Sequence, residues 1–430
     1  MALFLQLDHG VLIASLAVYA LLGTGFFWLL LAHLYYRRHS LAREAGLLAA
    51  PLPLQLPHVL LQLPTFNEGA LVLRLGEAVA KLDYPRDRLH IQILDDSTDS
   101  SLGFSQKAAA KLQGQGFDAV VLHRTDRKGY KAGALAEGLA HSTAEFVGIL
   151  DADYLPAPDF LKLSIRPFLV DAKLALVQAR CDYLNGGENL ITAVQRRILD
   201  AHYAIEQPAR AWAGQIMPFN GTCGIWRRAA IEAAGGWSGD TIAEDMDVSY
   251  RVQMAGWHVL FLSSVTVPGE LPRSFTGWRL QQFRWTKGSA EVTRKILPSV
   301  WGSTLDLNQK IGASFHLGQG AFGPLFLIVL ATGTIESLLG GLSHSAGFLL
   351  TIAAAEMILG PALLQIVGQV LTRRAGFAAE ALQVPVTLFL QLLVGLANLR
   401  GSVEAFAGHG TAFVRTAKQG SVAAEIIPDV

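Results

Sequence analysis

The chain is poor in charge and in cysteine. Charged residues make up 16% of its 430 positions, and Lys+Arg and Asp+Glu balance at 35 each. No basic field exists to hold a polyanion, so the composition argues against nucleic acid as a partner. The two cysteines, Cys181 and Cys223, form neither a CxxC pair nor a zinc spacing, and two thiols cannot build a disulfide framework. No internal repeat or low-complexity segment interrupts the chain, which argues against a solenoid. Apolar residues, in contrast, reach 51% and the mean hydropathy is +0.34, too apolar for an ordinary soluble enzyme. The expectation is a lipid bilayer as partner.

Residues 11–36 hold no Lys, Arg, Asp or Glu, enough to cross the hydrocarbon with some tilt. Asp8 and His9 precede the run where a signal peptide would carry basic residues, and the run is too long for its apolar core. Arg37, Arg38 and Arg43 follow, so the positive-inside rule places the N-terminus outside and the next domain in the cytoplasm. The apolar signal returns at 311–335 and at 346–371, where Glu356 is the single charge; together they predict a transmembrane hairpin. A third stretch, 382–399, is shorter and carries Pro385. It is expected to lie along the cytoplasmic interface, leaving three crossings and a cytoplasmic C-terminus. The predicted divisions are a helix and basic flank (1–50), a catalytic domain (51–268), interfacial helices (269–310), the hairpin (311–371) and a final interfacial or spanning segment (372–430).

Between the apolar segments, short runs such as Val59 to Leu63, His90 to Leu94, Ala119 to Leu122, Phe146 to Leu150 and Leu174 to Val177 alternate with helical patterns. The fold class is therefore α/β, with a mostly parallel sheet whose ligands gather beyond the carboxyl ends of the strands. Asp95 and Asp96 end one of these runs, and Asp151 and Asp153 end another. Two carboxylates one residue apart can share a hard cation, Mg2+ or Mn2+, with a diphosphate, although a lone DxD is more often a solvated turn. Lys128 and Lys131, in Arg-Lys-Gly-Tyr-Lys-Ala-Gly, can neutralise phosphate oxygens or simply open a helix. Glu244 and Asp245 offer a general base for a hydroxyl, or an acidic helix start. Gln281, Arg284 and Trp285 combine a bidentate cation with a flat face for a pyranose ring; an interfacial Trp/Arg pair is the plainer alternative.

In this order the motifs resemble those of processive family 2 glycosyltransferases, the cellulose synthases and, more closely, the cellulose synthase-like mannan and glucan synthases. Leu63-Pro-Thr-Phe-Asn-Glu68, Ile93-Leu-Asp-Asp-Ser-Thr-Asp99, Gly129-Tyr-Lys-Ala-Gly-Ala-Leu135, Phe219-Asn-Gly-Thr222, Ala243-Glu-Asp-Met-Asp247 and Gln281-Gln-Phe-Arg-Trp285 carry the likeness. The resemblance implies a GT-A fold, inverting transfer from UDP-glucose or GDP-mannose to a growing β-glycan, and a divalent metal at Asp153 with Asp151. A non-processive glycolipid synthase is the alternative. It places Phe66, Asn67, Glu68, Asp95 and Asp96 near the nucleotide, and makes Asp245 the base. It lines the acceptor side with Phe219, Asn220, Gly221 and Thr222, and closes the site with Gln281, Arg284 and Trp285. Phe413-Val-Arg-Thr-Ala-Lys418 resembles the family's gating loop, with Arg415 in place of Val; Thr416 and Lys418 would cap the diphosphate, unless the segment is a basic juxtamembrane tail. The chain is short for a full polymer channel, so either homo-oligomerisation or secretion partners complete one or the product is short or lipid-linked, and the location implied is the inner (plasma) membrane.

Overall fold

The computed structural model describes residues 2–339, 342–373 and 376–408. These divide into two compact units.

One unit, residues 38–196 and 216–280, holds the sheet. Seven strands lie in the order β3-β2-β1-β4-β6-β5-β7: β1 (Val59–Thr65), β2 (Leu89–Asp95), β3 (Asp118–His123), β4 (Phe146–Ile149), β5 (Leu174–Tyr183), β6 (Gly224–Arg227) and β7 (His258–Gly269). β1, β2, β3 and β4 run parallel, with Thr65 opposite Asp95 and Gln62 opposite Ile149. β5 and β7 are parallel as well, and β6 is antiparallel to both of its neighbours. The five expected strands are present as short apolar runs; β1, β2 and β4 are buried on both faces, with Leu61, Leu63, Ile93 and Val147 at or near zero exposure, whereas β3 is an edge strand with Val120 41% exposed. β6 and β7 went unrecognised. β6 is four residues long and opens on a glycine, and β7 breaks its pairing register opposite Ala179 and Arg180. The long first helix ends in this unit, where the Glu44 carboxylate accepts hydrogen bonds from the Ser263 and Ser264 amides at 3.0 and 2.8 Å.

The other unit, residues 1–37, 197–215 and 281–411, is helical. Among the described residues, four helices are long and apolar enough to cross a membrane by length and composition: Leu3–Ala49, Leu307–Leu339, His344–Arg373 and Phe377–Ala407. The last corrects the sequence expectation of a short stretch. The helix continues through Arg400 and Glu404, because Glu404 takes a hydrogen bond from Arg400 one turn earlier and another from the fully buried Lys287 at 3.2 Å. Its 24-residue core, Val384–Ala407, reaches about 36 Å at 1.5 Å per residue, so shortness no longer argues against a crossing. Further ion pairs of this unit join Asp200 to Arg373 at 3.2 Å, Arg197 to Glu380 at 3.0 Å, and Glu206 to Arg210 at 3.0 Å.

A candidate glycosyl-transfer site at the strand ends

β1, β2 and β4 all deliver their carboxyl ends to one edge of the sheet, and the motif residues of this unit follow them. After β1, Asn67 takes a left-handed φ of 54°. Its amide donates to Ser97 Oγ at 2.9 Å and its side-chain oxygen accepts from the Thr98 amide at 2.9 Å, joining the loops that follow β1 and β2. Phe66 lies under the Arg127 guanidinium, 3.4 Å from its centroid, a cation–π contact.

The two aspartates after β2 divide. Asp95 is fully buried; its carboxylate accepts from the Ser97 amide at 2.9 Å, from Ser105 and Thr65 hydroxyls, and lies 3.3 Å from His123. Those bonds hold the loop and leave Asp95 no face toward a ligand, so its place is behind the site rather than in it. Asp96 is held by Arg124 through Nε at 2.7 Å and Nη2 at 2.5 Å, a two-pronged guanidinium–carboxylate pair. The sequence reading did not single out Arg124 or Arg127. Their signal was the spacing Arg124-Thr-Asp-Arg127-Lys just after a strand, which reads equally as an exposed basic turn. Lys128, which was singled out, is exposed, and its amide donates to Asp126 at 2.9 Å.

Lys131 is different. It enters the helix Tyr130–Ala140, and its Nζ donates to Asp151 Oδ1 at 2.6 Å and to the Gly221 carbonyl at 2.9 Å. Burial alone would lower its pKa; Asp151, Glu244 and Asp245 outweigh that and hold it above the ordinary lysine value. The chain can approach so closely because Gly133 lies against Lys128, where a Cβ would stand 2.1 Å from the carbonyl oxygen.

Asp151 and Asp153 follow β4. The Asp151 amide donates to Thr222 Oγ1 at 2.9 Å, tying the DxD turn to the Phe219–Thr222 segment. Within that segment the residues face different ways. Phe219 is core, buried edge-on against Trp226, a correction to its expected place on the acceptor side. Thr222 is also buried, and its hydroxyl serves the DxD turn. The Asn220 amide donates to Gln178 at 3.1 Å. Gly221, with φ +76°, faces Asp245: a Cβ there would stand 2.9 Å from Asp245 Oδ2 and 3.5 Å from Lys131 Nζ. Glycine is required by both the φ and the contact.

Glu244 and Asp245 open the helix Glu244–Met254. Asp245 Oδ1 accepts from the Met246 amide at 2.7 Å, whereas Asp247 is fully buried on Arg251 at 2.6 Å and serves the fold. Burial pushes the Asp245 carboxyl up to about 6, against the pull of Lys131 and of the Met246 amide. Burial and the neighbouring Asp245 push Glu244 higher still. A carboxylate raised toward neutrality beside an ammonium is the state a general base needs.

Gln281, Arg284 and Trp285 lie in the other unit, on the helix Phe275–Gly302. Their i, i+3, i+4 spacing puts them on one face, with Gln281 buried and Trp285 42% exposed. The gating-like segment with Thr416 and Lys418 lies outside the described residues.

A family described as "Glycosyltransferase like family 2" matches residues 57–288, more than half of the chain. The chain belongs to that family. It is 42% identical over 249 residues to the probable glucomannan 4-beta-mannosyltransferase 11 of Oryza sativa subsp. japonica, covering 57% of this chain and 44% of that protein. It is 43% identical over 251 residues to glucomannan 4-beta-mannosyltransferase 2 of Arabidopsis thaliana, covering 57% and 46%. The chain therefore matches a little under half the length of these relatives. Among solved structures, the mannosyltransferase PcManGT of Pyrobaculum calidifontis, in complex with GDP-Man and Mn2+, aligns with a TM-score of 0.56 at 21% identity, over 93% of this chain and 99% of that one. That likeness supports the GT-A fold expected from the sequence.

Proposed function

We propose that the chain is a membrane-bound inverting hexosyltransferase that extends a β-glycan, with GDP-mannose favoured over UDP-glucose as donor. The observation that carries this reading is the convergence of Lys131, Asp151, Gly221 and Asp245 at the strand ends. The printed activity of the plant relatives favours mannose over glucose and a polysaccharide over a lipid acceptor.

Asp151 and Asp153 fit a divalent cation. They are hard oxygen donors, and no third His, Cys, Asp or Glu joins them to make a ready protein cage among the described residues. That suits Mg2+ or Mn2+, which is commonly held by one or two carboxylates and completed by substrate phosphates. Such a cation would offset charge on the leaving diphosphate. Lys131 supplies a second positive charge beside Asp151. Asp245 takes the proton of the acceptor hydroxyl, whose oxygen forms the new bond to the anomeric carbon as the bond to the diphosphate breaks. Attack from the face opposite the leaving group inverts that carbon. Phe66, Asn67, Asp96, Arg124 and Arg127 frame the nucleotide end, with Glu68 in the same loop. Arg284 is proposed to bind a phosphate and Trp285 to stack on a sugar ring. Purified protein would be given labelled GDP-mannose and UDP-glucose with a β-manno-oligosaccharide, and the product digested with linkage-specific hydrolases. Mannosyl extension that disappears in excess EDTA is expected; equal extension with EDTA, or labelled product on lipid alone, would overturn it.

The catalytic unit is proposed to face the cytoplasm at the plasma membrane, where nucleotide sugars are made. The last helix is proposed to stay on that side. Both of its ends are tied to segments that border the catalytic unit in sequence: Glu380 to Arg197, and Glu404 to Lys287. A helix crossing the whole bilayer would carry its two ends to opposite faces. With single cysteines at Ala2 and Ser421 in a background lacking Cys181 and Cys223, an impermeant maleimide on intact cells should label position 2 and spare 421.

A further inference from the structure

The sheet unit contains a second cavity that shares no residue with the site above. It has a volume of about 630 Å³ and is lined by Arg74, Leu155, Leu184, Asn185, Gly187, Glu188, Glu270 and Arg273, a size within the range of about 300–1,000 Å³ common for small-molecule sites. Its walls come from the segments that leave β4, β5 and β7, pinned by the Leu155 amide on the Pro268 carbonyl at 2.9 Å and the Leu184 amide on the Gly269 carbonyl at 2.8 Å. Asn185 exchanges two hydrogen bonds with the Leu271 backbone, at 2.8 and 2.9 Å, so the wall is built rather than draped. The cavity thus opens at the carboxyl ends of the strands, where sheets of this kind bind ligands, two residues beyond Asp153.

Its chemistry is specific. Arg74 Nη1 donates to the buried Glu270 at 2.5 Å, and Arg273 pairs with Glu188 at 2.9 Å. The open members are Arg273 and Glu188, whose side chains are 41% and 38% exposed. Two arginines and two glutamates cancel in charge, so the cavity does not select a phosphate or a nucleotide. Paired guanidinium and carboxylate groups beside two leucines instead match a neutral ligand with hydroxyls on its rim and C–H groups on its faces.

We propose that this cavity is an accessory saccharide site that holds a neutral segment of linear glycan outside the transfer site. The identity of the glycan rests on the function proposed above. Arg273 supplies donors to hydroxyl oxygens, Glu188 accepts from hydroxyls, and Leu155 and Leu184 carry the ring faces. The site would retain the glycan between transfers.

The test is calorimetric titration of the full chain in nanodiscs, without nucleotide sugar or metal, against β-1,4-mannohexaose, mannose and inorganic phosphate. The hexaose should bind more tightly than mannose and should not be displaced by phosphate. Gly187→Trp should weaken hexaose binding at least tenfold. Its φ is not left-handed and its Cβ would meet only Arg196 Nη1, at 3.8 Å, so the indole can fill the cavity without disturbing the ion pairs. Arg273→Met should do the same, and where that variant fails to fold, Gly187→Trp still reads the site. Hexaose affinity unchanged in Gly187→Trp, or a cavity that takes phosphate in preference to the hexaose, would overturn the proposal. A wild-type chain that extends mannan but binds no hexaose in the absence of donor removes this site alone. Hexaose binding without any transfer removes the proposed activity alone.

Discussion

Two strand ends in this molecule carry acidic pairs, and they have opposite fates. After β2, Asp95 is fully buried and saturated by hydroxyl and amide donors, while Asp96 is neutralised by Arg124. After β4, Asp151 keeps a side chain 35% exposed and meets a lysine that also reaches the Gly221 carbonyl. The same residue type at the same position in a strand–loop unit thus serves as scaffold in one place and as candidate chemistry in the other. What separates them is the supply of internal donors. A carboxylate surrounded by Ser, Thr and amide donors is spent on the fold, whereas Asp151 pairs with one lysine and keeps part of its side chain open to solvent.

The largest effect should come from the reactive end of this contrast. Asp245→Asn should lower transfer about 10²–10⁴-fold, the range a positioned general base contributes, while donor affinity measured by calorimetry and the melting temperature stay near wild type. Loss of donor affinity with the maximal rate retained would give Asp245 a different role.

The scaffold end should show the reverse. Asp95→Ala would strand the Ser97 amide and the Ser105 hydroxyl in the interior, at about 1–3 kcal/mol for each unsatisfied group. It should therefore appear as a lower unfolding midpoint and poor yield. A variant with unchanged melting and no activity would break the distinction by placing Asp95 in the chemistry.

The pH dependence sharpens it. Asp245 must be ionised to accept a proton, and its folded pKa is raised to about 6. The ionised fraction is therefore nearly complete well above pH 6 and is lost as pH falls through that value. Below it, kcat/KM should drop by about tenfold per pH unit. An acid limb at the ordinary aspartate range would mean that Asp245 is not the titrating base.

The smallest effect is expected at Arg124. Arg124→Lys keeps the charge but loses the two-pronged grip on Asp96, and should weaken donor binding several-fold by calorimetry with little change in the rate at saturation. Identical donor affinity would leave the Asp96–Arg124 pair a role in the loop alone.

The sequence by itself determined that β1 to β5 are strands, since each is a short apolar run, and the alternation with helices made β1 to β4 a parallel set. It also determined the order of the chemical motifs and the apolar segments, because hydropathy and strand-end carboxylates are local properties. It did not reveal β6 or β7. Gly224–Arg227 becomes a strand only because β4 and β5 offer it antiparallel partners on either side. Nor could it separate Asp95 from Asp151, place Phe219 in the core against Trp226, or bring Lys131 to Gly221, ninety positions away. The length of the last helix is of the same kind: Arg400 and Glu404 look like a stop in sequence, yet Lys287 supplies the charge that lets the helix run on to Ala407. Each of these depends on which donor or neighbour arrives from a distant segment, and that is decided only when the chain has folded.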